Sequence, residues 1–125
     1  MRGAVKKVLV VDDSIIILRI YRHILEKQGY QFITANNGRE ALEKLQAEVV
    51  DLVVTDLMMP EMDGMSLLET IRASDNLRHI PVIMVTANGQ VHNEERANRL
   101  GVNGFLTKPT SSWDLIEAVS GQLAQ

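Results

Sequence analysis

The hydrophobic positions of this chain change period repeatedly. Val8-Leu9-Val10-Val11 is a continuous apolar, largely β-branched run, the pattern of a strand covered on both faces. From Ser14 the spacing turns helical. Ile17, Ile20, Ile24 and Leu25 form the apolar positions, Ser14 can cap the start, and Gly29 closes the end. Ile15-Ile16-Ile17 weakens a helix on propensity, but a strand reaching Gly29 would be unusually long. Tyr30 to Ala35 reads as a second strand, Asn36-Asn37-Gly38 as a turn, and Arg39 to Gln46 as a helix through Ala41, Leu42 and Leu45. Leu52-Val53-Val54 is the third strand run.

Leu67, Leu68 and Ile71 then recur at helical spacing, ending near Ser74-Asp75-Asn76. Pro81 opens the run Val82 to Val85, a position proline tolerates, and Asn88-Gly89 breaks the chain. Glu94 to Leu100 is a more polar helix closed by Gly101. Gly104-Phe105-Leu106 is a very short strand, and Ser111 or Ser112 caps a last helix carrying Leu115, Ile116, Val119 and Leu123. Five strand–helix repeats in 125 residues leave no linker or second-domain segment. The alternation predicts an α/β fold of three layers, a doubly wound parallel sheet with right-handed crossovers, as one domain over residues 1–125. A closed eightfold barrel needs roughly twice this length.

Composition narrows the classes. Hydrophobic residues make up 46% and charged residues 23% of the chain, a balance that supports a packed core and argues against disorder. With 13 basic and 16 acidic side chains and a net charge of -3, nucleic-acid binding through a broad basic surface is not expected. There is no cysteine, which excludes disulfides, thiolate chemistry and cysteine metal sites and fits a reducing compartment. The first apolar run stops at Asp12, too short for a signal peptide, and no run approaches the roughly 20 residues that cross a bilayer. The expectation is a cytoplasmic monomer without membrane insertion.

The chemistry lies where strands end. Asp12 and Asp13 follow the first run and Asp56 the third, at the edge of an open parallel sheet where ligands bind. If those runs are neighbours, three carboxylates meet, and like charges need a compensating cation. Mg²⁺ suits carboxylates, a carbonyl and waters. An Asp-Asp pair alone would equally serve as a loop and helix-start device; its meeting with Asp56 is what carries the metal reading. Thr86 ends the fourth run and Lys108 follows the fifth, a directional hydroxyl and a point charge that suit a tetrahedral dianion. A carboxylate nucleophile can take a phosphoryl group, whose oxygens a metal neutralises during transfer. Neither G-x-x-x-x-G-K-[ST] nor G-x-G-x-x-G occurs, so no ATP or dinucleotide site is indicated. The donor must be a small molecule or another protein.

Four segments together carry a resemblance: Val8 to Ser14, Asp56 to Gly64, Pro81 to Ala87, and Gly104 to Pro109. In this order and at these separations the chain resembles the receiver domains of bacterial two-component response regulators, the single-domain chemotaxis type most of all. That resemblance implies a flavodoxin-like fold with strand order 2-1-3-4-5 and no output domain. It implies that Asp56 accepts a phosphoryl group from the phosphohistidine of a histidine kinase. Asp12, Asp13, Asp56 and the backbone carbonyl of Met58 would hold Mg²⁺, the sharing between Asp12 and Asp13 being open. Lys108 would contact the phosphoryl oxygens, Thr86 would turn toward them, small Ala87 would leave access, and Lys108-Pro109 would be cis. Phe105 takes the aromatic switch position where the chemotaxis proteins usually carry tyrosine, keeping a ring and losing a hydroxyl.

The resemblance implies self-phosphorylation and autodephosphorylation without independent small-molecule turnover. Partners would be a histidine kinase or histidine phosphotransfer protein and a downstream target, the flagellar motor or another effector. The alternative is a phosphorelay intermediate that passes the group to a histidine phosphotransfer protein; a phosphohydrolase fits less well, there being no inserted lid. His23, His79 and His92 read as surface or boundary residues. Met58, Met59, Met62 and Met65 read as flexible packing under the acceptor loop. Trp113 reads as half-buried packing or a partner anchor, and Gly64 as the residue that permits the turn into the third helix.

Overall fold

The computed structural model describes residues 5–87 and 91–124, with the backbone alone at 91–93. The Asn88-Gly89 break, the His92 side chain and the chain's first four residues lie outside the described residues. The elements run β1 (Lys7–Val11), α1 (Ile15–Lys27), β2 (Gln31–Ala35), α2 (Gly38–Ala47), β3 (Leu52–Asp56), α3 (Gly64–Ala73), β4 (Val82–Ala87), α4 (Val91–Arg99), β5 (Gly104–Lys108) and α5 (Ser112–Leu123). The strands are parallel in the order β2-β1-β3-β4-β5, so the first and third runs are neighbours. The fold is the flavodoxin-like α/β sheet expected.

Strict alternation along the central strands builds the two faces. Leu9, Val11, Val53, Val82 and Met84 join Ala41 and Leu45 of α2, Leu67, Leu68 and Ile71 of α3, and Ala97 of α4. Val8, Val10, Leu52, Val54, Ile83 and Val85 join Leu18, Tyr21 and Leu25 of α1 and Leu115 and Val119 of α5. Four helices start on a side chain that accepts an otherwise unpaired N–H: Ser14 from Ile17, Asn37 from Glu40, Asp63 from Ser66, and Ser111 from Asp114. Each such cap is worth about 1 kcal/mol. Ser111, and not Ser112, caps the last helix.

Three expectations change. Ile20 is 48% exposed, because the buried stripe of α1 runs through Leu18, Tyr21 and Leu25 and Ile20 lies to one side of it. Trp113 is 69% exposed, two positions from buried Leu115 and so on the outer face of α5. Met58 is 71% exposed, while Met65 alone of the loop methionines is fully buried and Met59 and Met62 pack partly against the core. His23 and His79 are exposed, as expected. At the sheet's outer margin, Gln31 and Ala35 of β2 exchange backbone bonds with the β1 side. The Thr34 carbonyl between them instead accepts from the Lys44 ammonium of α2.

Candidate functional site

The sheet edge gathers its charges through backbone register. β3 extends two residues beyond its apolar run, to Asp56, because Asp56 pairs with Val85 of β4. β5 likewise reaches Lys108, paired with Ala87. Lys108 Nζ then sits 2.9 Å from Asp12 Oδ2 and 3.3 Å from Asp56 Oδ2. The remaining oxygens are held by main chain: Asp12 Oδ1 accepts from the Ser14 N–H at 2.9 Å, and Asp56 Oδ1 from the Leu57 N–H at 2.8 Å. Asp12 and Asp56 are buried and Asp13 is exposed.

Burial pushes the Asp56 carboxyl up from its ordinary value, and the Asp12 charge adds to this; Lys108 and the Leu57 N–H pull the other way without cancelling it. For Lys108 burial opposes the charge, but the bond and charge of Asp12, with those of Asp56, prevail and raise it. Burial likewise raises the Tyr21 phenol of α1, against the pull of Lys108. Carboxylate oxygens of Asp12, Asp13 and Asp56 all lie within 4.8 Å of one another. This set of hard oxygen donors, partly buried and carrying one lysine against three acids, fits a Mg²⁺ ion.

The loop after Asp56 is fixed at both ends. Gly64 N–H donates to Leu57 O at 2.8 Å, and Gly38 N–H of α2 donates to Met62 O at 2.9 Å. A Cβ on Gly64 would fall 2.2 Å from the Asp56 carbonyl oxygen, so close approach, beyond the turn foreseen, demands glycine here. Glu61 takes φ 67 within the loop, a strained backbone for a side-chain residue.

Thr86 is buried at the same edge, one residue past Val85, but Asp56 bonds to Leu57 and Lys108 and not to Thr86. Phe105 pairs in register with Met84, and its partly buried ring packs on the cluster that includes Met84 and Ala97. By alternation Thr86 faces the same side, toward α4. Ala87 is exposed and Lys108-Pro109 is cis. The backbone donors of Ser14 and Leu57 carry no side-chain signature, and the sequence marks Ser14 only as a cap.

Residues 8–120 match the model of the response regulator receiver domain family. The polar-differentiation response regulator DivK of Brucella anthropi is 35% identical over 118 residues, spanning 94% of this chain and 96% of that protein. Among solved structures, the chemotaxis response regulator CheY4 of Vibrio cholerae aligns with a TM-score of 0.89 at 32% identity, over 95% of this chain and 99% of that one. A CheY-like receiver domain protein from Methanospirillum hungatei aligns with a TM-score of 0.90 at 30% identity, over 97% and 95%. The five-stranded parallel sheet in this strand order is thus shared with these response regulators. The chain belongs to the response regulator receiver family.

Proposed function

We propose that Asp56 is the phosphoryl acceptor and that its charge state controls binding to a separate protein. The observation that carries this is the bridge from Lys108 to Asp12 and Asp56 beside exposed Asp13. An Asp56 carboxylate oxygen attacks the phosphorus of a histidine kinase's phosphohistidine; an O–P bond forms, the P–N bond breaks, and the imidazole nitrogen leaves with its electron pair and takes up a proton. Lys108, already against Asp56, supplies a positive point charge to the phosphoryl oxygens. Asp12, Asp13, Asp56 and the Met58 carbonyl would hold Mg²⁺, which when bound neutralises oxygen charge during transfer. Thr86, once drawn toward the phosphoryl group by a charge-assisted hydrogen bond, vacates space on the α4 side for the Phe105 ring.

The output is read by a downstream protein, of the flagellar motor or another effector, and the reaction is placed in the cytoplasm. Among the described residues no helix is long and apolar enough to cross a membrane. Incubation with acetyl phosphate should give one acid-labile label at Asp56 that requires divalent metal, and Asp56→Asn should fold and lose it. Acid-stable label, or undiminished label in that variant, would overturn the assignment. Onward passage of label to a histidine phosphotransfer protein would mark a relay instead.

A further inference from the structure

Among the described residues, Arg72, in the last turn of α3, is the most heavily engaged side chain outside the acidic edge. Its Nε donates to Gly101 O at 3.0 Å, its Nη1 to Arg78 O at 3.1 Å and Ile80 O at 2.8 Å, and its Nη2 to Asn103 Oδ1 at 2.7 Å. Asn103 is itself doubly tied to the first residue of β4. Its Oδ1 accepts from the Val82 N–H at 2.8 Å and its own N–H donates to Val82 O at 2.8 Å. One guanidinium therefore joins the end of α3, the α3–β4 connection, the turn that closes α4 and the entry to β5.

Every one of those acceptors is neutral, and among the described residues no carboxylate pairs with Arg72. Ion-pair energy is not what places this partly buried cation; the fixed directions of a planar fork are, and a lysine cannot reproduce them. The end of α4 is a fitting target. Leu100, Gly101 and Val102 fold back onto Arg96 O, Asn98 O and Ala97 O, with Gly101 at φ 90. A helix C-terminus carries partial negative charge, and Arg72 adds a cation from α3 to Arg96 and Arg99 of α4's own last turn. A Cβ on Gly101 would lie 3.1 Å from Arg72 Nε, which keeps the approach this close.

Over residues 94–99, whose side chains are described, α4 is thinly packed. Of its described side chains only Ala97 is buried, and Glu94, Glu95, Arg96, Asn98 and Arg99 are exposed. The attachments described for α4 lie at its C-terminal end, and Thr86 and Phe105 lie on the sheet face it covers. We propose that Arg72 is a positioning residue for the switch, the pivot on which α4 turns. It keeps the end of α4 and the entry to β5 fixed, so that displacement at Thr86 becomes a tilt of α4 about that end. This rests on the phosphorylation reading of Asp56.

The test compares wild type, Arg72→Lys and Arg72→Met by amide NMR and hydrogen exchange, with and without Mg²⁺ and beryllofluoride. Binding at Asp56 is read separately, at the Leu57 amide. In wild type, exchange at Gly101, Val102 and Asn103 should be slow and equal in both states. In both variants it should quicken by about tenfold or more, and the beryllofluoride-induced shifts should spread into residues 101–103. If Arg72→Met does not fold, Asn103→Ala, which removes one acceptor, carries the same expectation at smaller amplitude. A variant that loses only overall stability while its beryllofluoride shifts match wild type shows a plain scaffold role and overturns the pivot. If wild type itself does not respond at Leu57, the phosphorylation reading falls and the pivot with it.

Discussion

Asp56 sits where its surroundings oppose its charge. Burial, then the neighbouring Asp12, raise its pKa above the ordinary 3.8. A carboxyl raised in the folded state costs stability in full at pH above its folded pKa; that cost fades as pH falls from there and is gone below the unfolded value. In chelator at neutral pH, Asp56→Asn should therefore melt higher than wild type, by ~3 °C, with the gap closing toward pH ~4. Calorimetry across that range checks it; a variant that melts lower at neutral pH would show that the Lys108 ion pair outweighs burial. The acids themselves were legible, because a charged residue ending an apolar run is conspicuous. Their hydrogen bonds were not, since the Ser14 and Leu57 donors are main-chain groups placed by backbone direction.

Among the elements, type was easier to read than extent or facing. The β-branched runs named the strands, yet Asp56, Thr86 and Lys108 belong to strands through ladder pairing that composition does not record. The stripe of α1 was misplaced at Ile20 because isoleucines occupy several sides of that helix, and only the packed sheet selects one. Burial assigns opposite costs to two isoleucines. Ile71 of α3 is fully buried, and Ile71→Ala should lose about 3 kcal/mol. Ile20→Ala, at a half-exposed position, should stay within about 0.5 kcal/mol. Urea denaturation of both variants measures the pair, and a loss at Ile20 comparable to that at Ile71 would contradict the facing described. Arg72 had no signal at all; a basic residue in a last helical turn reads as an ordinary dipole partner, and its acceptors come from two separate stretches, 78–80 and 101–103.

For the whole molecule, the alternation of periods was enough for a three-layer parallel sheet, whereas strand order came from the resemblance, because local pattern does not say which strands are neighbours. That order is what brings Asp12 and Asp13 beside Asp56, and an ion bound there would be linked to folding. Millimolar Mg²⁺ should raise the melting temperature by linkage, and Asp13→Ala, which alters an exposed residue, should sharply reduce the gain. An equal response in both proteins would assign the effect to general ionic strength. The same order leaves β2 at the sheet's margin, where unpaired backbone groups are a template for another chain. Lys44 already occupies the Thr34 carbonyl there, so an incoming strand meets a positive charge in the slot where it would hydrogen-bond. That one contact sets a charge against edge-to-edge pairing of β2 with a second copy of this chain.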